Sequence, residues 1–474
     1  MNTALQNRTA IPVLIALAGA TLSASLGISV ASVLLPTLTR SFAVSVTEVQ
    51  WVVLAYLVSV TITIVSAGRI GDLFGHRRVL IGGLILFAVA SVICATAPGL
   101  GVLVAGRAAQ GLGGAILIAL PMSLARDLVP EGRLGMAMGL LGTTSAFGTA
   151  LGPSLGGLLL AWSDWRLAFW LLAGFACAAL VLVAWSIRSD HRRNAVSVRE
   201  LDLPGTLVLV VALAAYALAT SGGVAGVPVS PPVLMSGALI AILLFVFLEC
   251  RVAAPLVPMG LLRDRAVGIG FAMNLAIGTV MMSTLVVGPF FLAFSLGLSE
   301  AQVGLVLAVG PAVATVSGIP AGWLTDRLGA GRVMVLGLGQ IIIGLLCLAY
   351  LPRLFGVGGY VAALMALTPA FQMFLAANNT AVMSGAAQAQ RGRLSGLLGL
   401  SRNLGLMTGA SAMSTVFVIF LGTGDATQAT AEEVGRAFSM TFAGTAVLAL
   451  VTLALALWSL ASGRYRTLSL RRSV

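Results

Sequence analysis

Two arginines lie where an apolar chain has least use for a charge: Arg107 in VLVAGRAAQGLGGA and Arg402 in GLLGLSRNLG. Either side of each is almost wholly apolar. An arginine held in the middle of a membrane helix costs at least ~2.5–3.5 kcal/mol, so it normally faces protein or a water-filled cavity. By helical spacing Gln110, Gly111 and Gly114 share the face of Arg107, a polar, low-bulk stripe that suits a cavity wall. The competing use is an arginine that snorkels outward or bonds a carbonyl of the glycine-rich stretch at 134–160. For Arg402 two readings stand, an ion pair with Asp72 or snorkelling. Asn274, Gln372 and Asn378 are lone amides in apolar runs, suited to joining helices or to meeting a substrate. Met281, Met282, Phe371 and Phe374 read as packing.

The chemistry that is missing is as informative. All 15 acids lie in expected loops or within a turn of a helix end, with Glu48, Asp72, Asp127 and Glu249 closest to the apolar runs. Both histidines, His76 and His191, fall in expected loops, which excludes an intramembrane histidine relay. The four cysteines are far apart, without CxxC or metal spacing, and read as small hydrophobes. No nucleophile–base pair is visible, so the chain does not read as an enzyme, and no cofactor or metal is expected. The net charge of +12 comes from arginines scattered singly and in pairs, which sets nucleic acid aside.

These residues must be held by membrane helices. The chain has 474 residues, 59% hydrophobic and 9% charged, far below the quarter charged of soluble domains. Apolar runs long enough to cross a bilayer fall near 11–36, 48–67, 79–97, 101–123, 134–160, 165–187, 204–221 and 231–250. Six more fall near 267–296, 301–324, 333–351, 358–381, 394–421 and 437–460. The first run is too long for a signal-peptide core and is expected to remain as a span. With both termini in the cytoplasm, only Arg40, Arg166, Arg353 and Arg436 of the 27 basic residues fall outside, and only Arg107 and Arg402 within spans. That is the positive-inside bias. The fold expected is all-α and integral to the membrane, with fourteen spans.

One short segment occurs twice. GRIGDLFGHRRV (68–79) and GWLTDRLGAGRV (322–333) share Gly68/Gly322, Asp72/Asp326, Gly75/Gly329, Arg78/Arg332 and Val79/Val333. Each copy joins the second and third span of a six-span unit. The chain therefore reads as an N-terminal bundle (1–190), a two-span insert with its linkers (191–262) and a C-terminal bundle (263–474). Parallel halves around a central site are the build of secondary transporters.

On these strings the chain resembles the major facilitator superfamily, and within it the fourteen-span drug:proton antiporters. The loop matches the family signature at Gly68, Asp72, Gly75, Arg77 and Arg78, with His76 intervening. The fourth span matches at Arg107, Gln110, Gly111 and Gly114, and GTALGPSLGG in the fifth matches at Gly148, Gly152, Pro153, Gly156 and Gly157. QWVVLAY, DWRLAF, LDLPG and the 378–405 stretch are similar too. The resemblance implies two six-helix bundles plus two extra helices, and efflux of lipophilic drugs by proton antiport from the bacterial inner membrane. The protein is expected to be monomeric, with protons, substrate and membrane lipids as partners. It also implies a gating latch in which Asp72, Arg77, Arg78 and Asp127, with Asp326 and Arg332 in the second copy, hold and release the halves. The competing use of that loop is a topology anchor with solvated charges. The family often carries an acid in the first span, where this chain has GISVASVLLP with Gly27 and Ser32 at the aligned positions. Arg107 thus has no carboxylate partner in sight, and because arginine stays protonated at any working pH, neutral or anionic substrates are favoured.

Overall fold

The computed structural model describes residues 2–128, 131–187, 202–220, 230–252, 259–384, 388–423 and 426–461. Fifteen α-helices make up these segments: α1 (Asn2–Phe42), α2 (Val46–Val49), α3 (Trp51–Phe74), α4 (His76–Ala95), α5 (Leu100–Leu128), α6 (Glu131–Trp162), α7 (Arg166–Ser186), α8 (Leu203–Thr220), α9 (Pro231–Glu249), α10 (Met259–Leu262), α11 (Arg265–Phe290), α12 (Glu300–Leu328), α13 (Ala330–Ser384), α14 (Gln388–Leu421) and α15 (Ala431–Ala461). A π-helical turn, Phe291–Ser295, extends α11.

Among the described residues, eleven helical runs are long and apolar enough to cross a membrane. One of them, Ala330–Met383, is two spans that turn at Gly356 (φ 55°, ψ −133°). Two shorter apolar helices, Phe147–Trp162 and Pro204–Thr220, complete the fourteen that hydropathy predicts. The protein is a multi-pass, all-helical membrane protein.

The chain forms two compact units. The first comprises residues 1–44, 51–214 and 299–308, the second residues 45–50, 215–298 and 309–474. In the first unit α1 is the central helix: Ala16, Leu17, Ala20 and Ala24 are fully buried, and it packs against α5, α6 and α7. In the second unit α11 packs along α14, and α13 along α15. Phe291, Tyr360 and Phe438 stack there, with Phe291 and Phe438 centroids 4.1 Å apart. By contrast α9 exposes Leu239, Ile240, Leu243 and Phe247, the outward apolar face that a lipid-surrounded helix presents.

The repeated segment is not a loop of several residues. Helix α3 runs to Phe74 and α4 begins at His76, so Gly75 alone turns the chain, at φ 93° and ψ 126°. In the second copy α12 ends at Leu328, α13 begins at Ala330, and Gly329 turns at φ 83°. Both glycines donate to the carbonyl four residues back and accept from the amide four residues on: Gly71 and Val79 in one copy, Thr325 and Val333 in the other. A positive φ of this kind strains any residue with a Cβ, so the glycines recur for a backbone reason. His76 accordingly belongs to a helix, not to the loop expected for it.

Candidate functional site

In the first unit, the helical spacing that puts Arg107 and Gln110 on one face of α5 turns both inward, and both are fully buried. Arg107 Nε donates to the carbonyl of Val52 at 2.7 Å, and Nη1 donates to Gln110 Oε1. Gln110 passes the connection on: its Nε2 donates to Ser91 Oγ at 2.7 Å, and Ser91 donates to the carbonyl of Phe87. The guanidinium also lies over the Tyr56 ring, 4.3 Å from its centroid, while the Tyr56 hydroxyl donates to the carbonyl of Ala24. Gly111 and Gly114 bring α3 this close, since a Cβ on Gly111 would stand 2.8 Å from that of Ser59, and one on Gly114 2.9 Å from Tyr56 Cζ. The carbonyl Arg107 takes is thus on the second span, not on the glycine-rich fifth. Bonds from a charged donor contribute ~1.5–3 kcal/mol each, and a desolvated cation–π contact ~2 kcal/mol, enough to offset the insertion cost. Nη2 has no hydrogen-bond partner among the described residues.

The glycine face of α6 meets α1. A Cβ on Gly152 would collide with Ser29 Oγ and come within 2.7 Å of Ser29 Cβ, and Gly148 and Gly156 lie as close to Leu22, Ser25 and Val33. Ser25 and Ser145 share a hydrogen bond of 3.0 Å, and Ser29 Oγ reaches the carbonyls of Ser25 and Gly148. Pro153 interrupts the helix at the same level, leaving the Thr149 carbonyl without its helical donor. Gly157 turns to Gly304 of the first turns of α12, where a Cβ would be 2.6 Å from the Gly304 Cα. Beside it Arg40 and Glu300 form an ion pair of 3.6 Å, both half-exposed.

At the Gly75 turn the described partner of Asp72 is His76, at 3.0 Å. Arg77 reaches the last turn of α7, through Nε to the Ile187 carbonyl and Nη2 to that of Ala184. Arg78 is exposed, and a Cβ on Gly68 would meet nothing within 4 Å. The side chain of Asp127 and the whole of His191 lie outside the described residues. In the second copy Asp326 and Arg332 are exposed.

In the second unit two amides join α11 to its neighbours. Asn274 Nδ2 donates to the Leu398 carbonyl and to Ser401 Oγ, both at 2.8 Å, and Asn378 Nδ2 donates to the Gly270 carbonyl at 3.2 Å. Gln372 is half-buried; Phe371, Phe374 and Met282 are buried. Arg402 is exposed, and it lines a cavity of about 160 Å³ with Asn274, Asn379, Leu375, Met383 and Leu398. Helix α8 is fastened here as well: Tyr216 donates to Thr408 at 3.0 Å, Thr220 to Ser411 at 2.8 Å, and Thr415 to the Thr220 carbonyl at 2.7 Å. Tyr56, Ser91, Asn379 and this hydroxyl ladder were not singled out by chemistry in the sequence. Tyr56 and Asn379 fall in strings that resemble the family, but no local signal marks the chemical part any of these residues plays, because their partners lie tens to hundreds of residues away.

A family model, that of the Major Facilitator Superfamily, matches residues 17–410 and again 269–471. The chain is 30% identical over 427 residues to the multidrug resistance protein Stp of Mycobacterium tuberculosis (strain CDC 1551 / Oshkosh), covering 88% of this chain and 77% of that one. It is 29% identical over 407 residues to the uncharacterised transporter YebQ of Escherichia coli (strain K12), covering 84% and 88%. Among solved structures it is similar in fold to a bacterial homologue of the human lysosomal transporter Spinster. The TM-score is 0.70 at 14% identity, over 97% of this chain and 98% of that one.

Proposed function

The chain belongs to the major facilitator superfamily, a transporter and not an enzyme, and on that premise we propose that it exports small lipophilic or amphipathic compounds. Export runs from a bacterial inner membrane whose cytoplasmic side holds both termini, by alternating access of two six-helix halves and in exchange for protons. What carries the reading is the bare face of α6. Gly148, Gly152 and Gly156 lie directly on α1 with a proline at the same level, giving two backbones in close contact and a point at which one bends. The resemblance to antiporter helices ties that arrangement to export, and Stp, named for multidrug resistance, supports drug-like substrates.

The proton needs a carrier. The first span offers none, with Gly27 against Phe87 and Tyr56 and Ser32 bonded to the Ser29 carbonyl. Asp72, joined to His76 at 3.0 Å beside the Gly75 turn, is the described acid best placed for the task. The missing first-span acid favours one second reading, an exporter of an anionic, neutral or lipid-like metabolite that runs without protons.

Accumulation of fluorescent lipophilic compounds in an efflux-deficient bacterial host tests the proposal. Expression of the chain lowers accumulation, an uncoupler restores it, and Gly152→Leu behaves as the empty host. Equal accumulation with and without the chain for every compound contradicts export, and lowering that ignores the uncoupler selects the second reading.

A further inference from the structure

The two arginines set within apolar helices have opposite surroundings. Arg107 is fully enclosed and held by Val52, Gln110 and Tyr56. Arg402 is exposed on the wall of the 160 Å³ cavity, and among the described residues no acid lines that cavity and no ion pair to Arg402 is present. From this contrast we infer that the cavity at Arg402 is a recognition subsite for an anionic oxygen group, a carboxylate on the apolar compound being transported. The inference rests on the export reading and names the head group of its substrate.

The lining fits such a ligand in three respects. A guanidinium offers a planar fork of donors that binds a carboxylate bidentately, with bonds about twice as strong as neutral ones. Leu375, Met383 and Leu398 form an apolar wall, and Asn379 adds an exposed amide. A cavity near 150 Å³ accommodates a benzene-sized group, so the space suits an aromatic or short alkyl acid head and leaves the rest of a larger compound outside.

The turn of α14 that carries Arg402 is also pinned. Leu398 and Ser401, in the turn before Arg402, are both fixed by Asn274, which is 2% exposed. The orientation of that amide is determined, because the Leu398 carbonyl only accepts and Ser401 Oγ already donates to it at 2.9 Å. Asn274 is therefore a positioning residue. A snorkelling arginine needs neither a cavity nor a pinned turn.

Three probes with one body separate the possibilities: 4-butylbenzoate, 4-butylbenzamide and 4-butylbenzylammonium, titrated against the full chain in phosphatidylcholine nanodiscs. The benzoate binds about tenfold more tightly than the benzamide, as one charge-assisted pair predicts. Arg402→Gln brings that ratio close to one while leaving benzamide affinity and melting temperature unchanged. Asn274→Ala lowers benzoate affinity without abolishing the preference. Equal affinity for the three heads, no saturable benzoate binding, or a preference that survives Arg402→Gln overturns the subsite. A preference abolished by adding phosphatidylglycerol to the nanodisc assigns the arginine to a lipid headgroup and also overturns it. Export of neutral compounds by Arg402→Gln shows the export reading standing even where the subsite fails. Benzoate binding without export of any compound shows the reverse.

Discussion

Arg107 and Arg402 carry the same charge within apolar helices, and their partners decide what each does. The guanidinium of Arg107 spans from the Val52 carbonyl to Gln110 and lies over Tyr56, so α3, α4 and α5 meet on one cation. A lysine keeps the charge but, as a compact ammonium, loses the fork that reaches two acceptors and the flat face that stacks. Both Arg107→Ala and Arg107→Lys should therefore unfold more easily, by about 2–3 kcal/mol in detergent melts, because buried acceptors lose a charged donor. A melting temperature equal to wild type in the lysine variant would contradict this. That a charge belonged at both positions was legible in the sequence. Which of them opens to a cavity was not, since Tyr56 and Val52 are half a hundred residues from Arg107 and Asn274 is farther still from Arg402.

Helices bring these residues together through two kinds of glycine, and the structure distinguishes them. Gly75 and Gly329 are needed for their backbone angles: at positive φ a Cβ costs on the order of 1–3 kcal/mol. Gly75→Ala and Gly329→Ala should each lower the melting temperature, although a Cβ at Gly329 meets nothing within 4 Å. Gly152 is needed for space, with Ser29 lying where its side chain would go. Gly152→Leu should separate α6 from α1 and abolish transport. Gly68 meets neither condition, so Gly68→Ala should be neutral or stabilising, by up to about 1 kcal/mol in a helix interior. Loss of transport in a stable Gly68→Ala protein would show that this glycine serves a step other than the packing described here. The repeat itself was legible because Gly, Asp, Gly, Arg and Val recur at fixed offsets. The one-residue length of its turn was not: charges clustered at 72–78 read as a loop, and both helices in fact run through them to Gly75.

At the scale of the molecule, fourteen spans and the family were readable from hydropathy, arginine placement and ordered motifs, and they stand. Coupling was less readable because it depends on where a proton can be held. Among the described residues the buried acids are Asp202, which accepts from the Gly205 amide at the start of α8, and Glu249 at the end of α9, while Glu48 caps its own helix through Ser45 and Asp72 is exposed beside His76. Of these only Asp72 adjoins a turn that both halves share. Asp72→Asn should retain substrate binding and lose proton-driven accumulation, and unchanged accumulation would move the carrier elsewhere. The most direct test of proton-coupled export uses the purified protein in liposomes with a trapped pH dye and an inside-acid gradient. Lipophilic compounds of each charge type are added and internal pH is followed beside empty liposomes. The account predicts a compound-dependent rise in internal pH, absent from Gly152→Leu and from empty liposomes. Compound movement with no change in internal pH would contradict it.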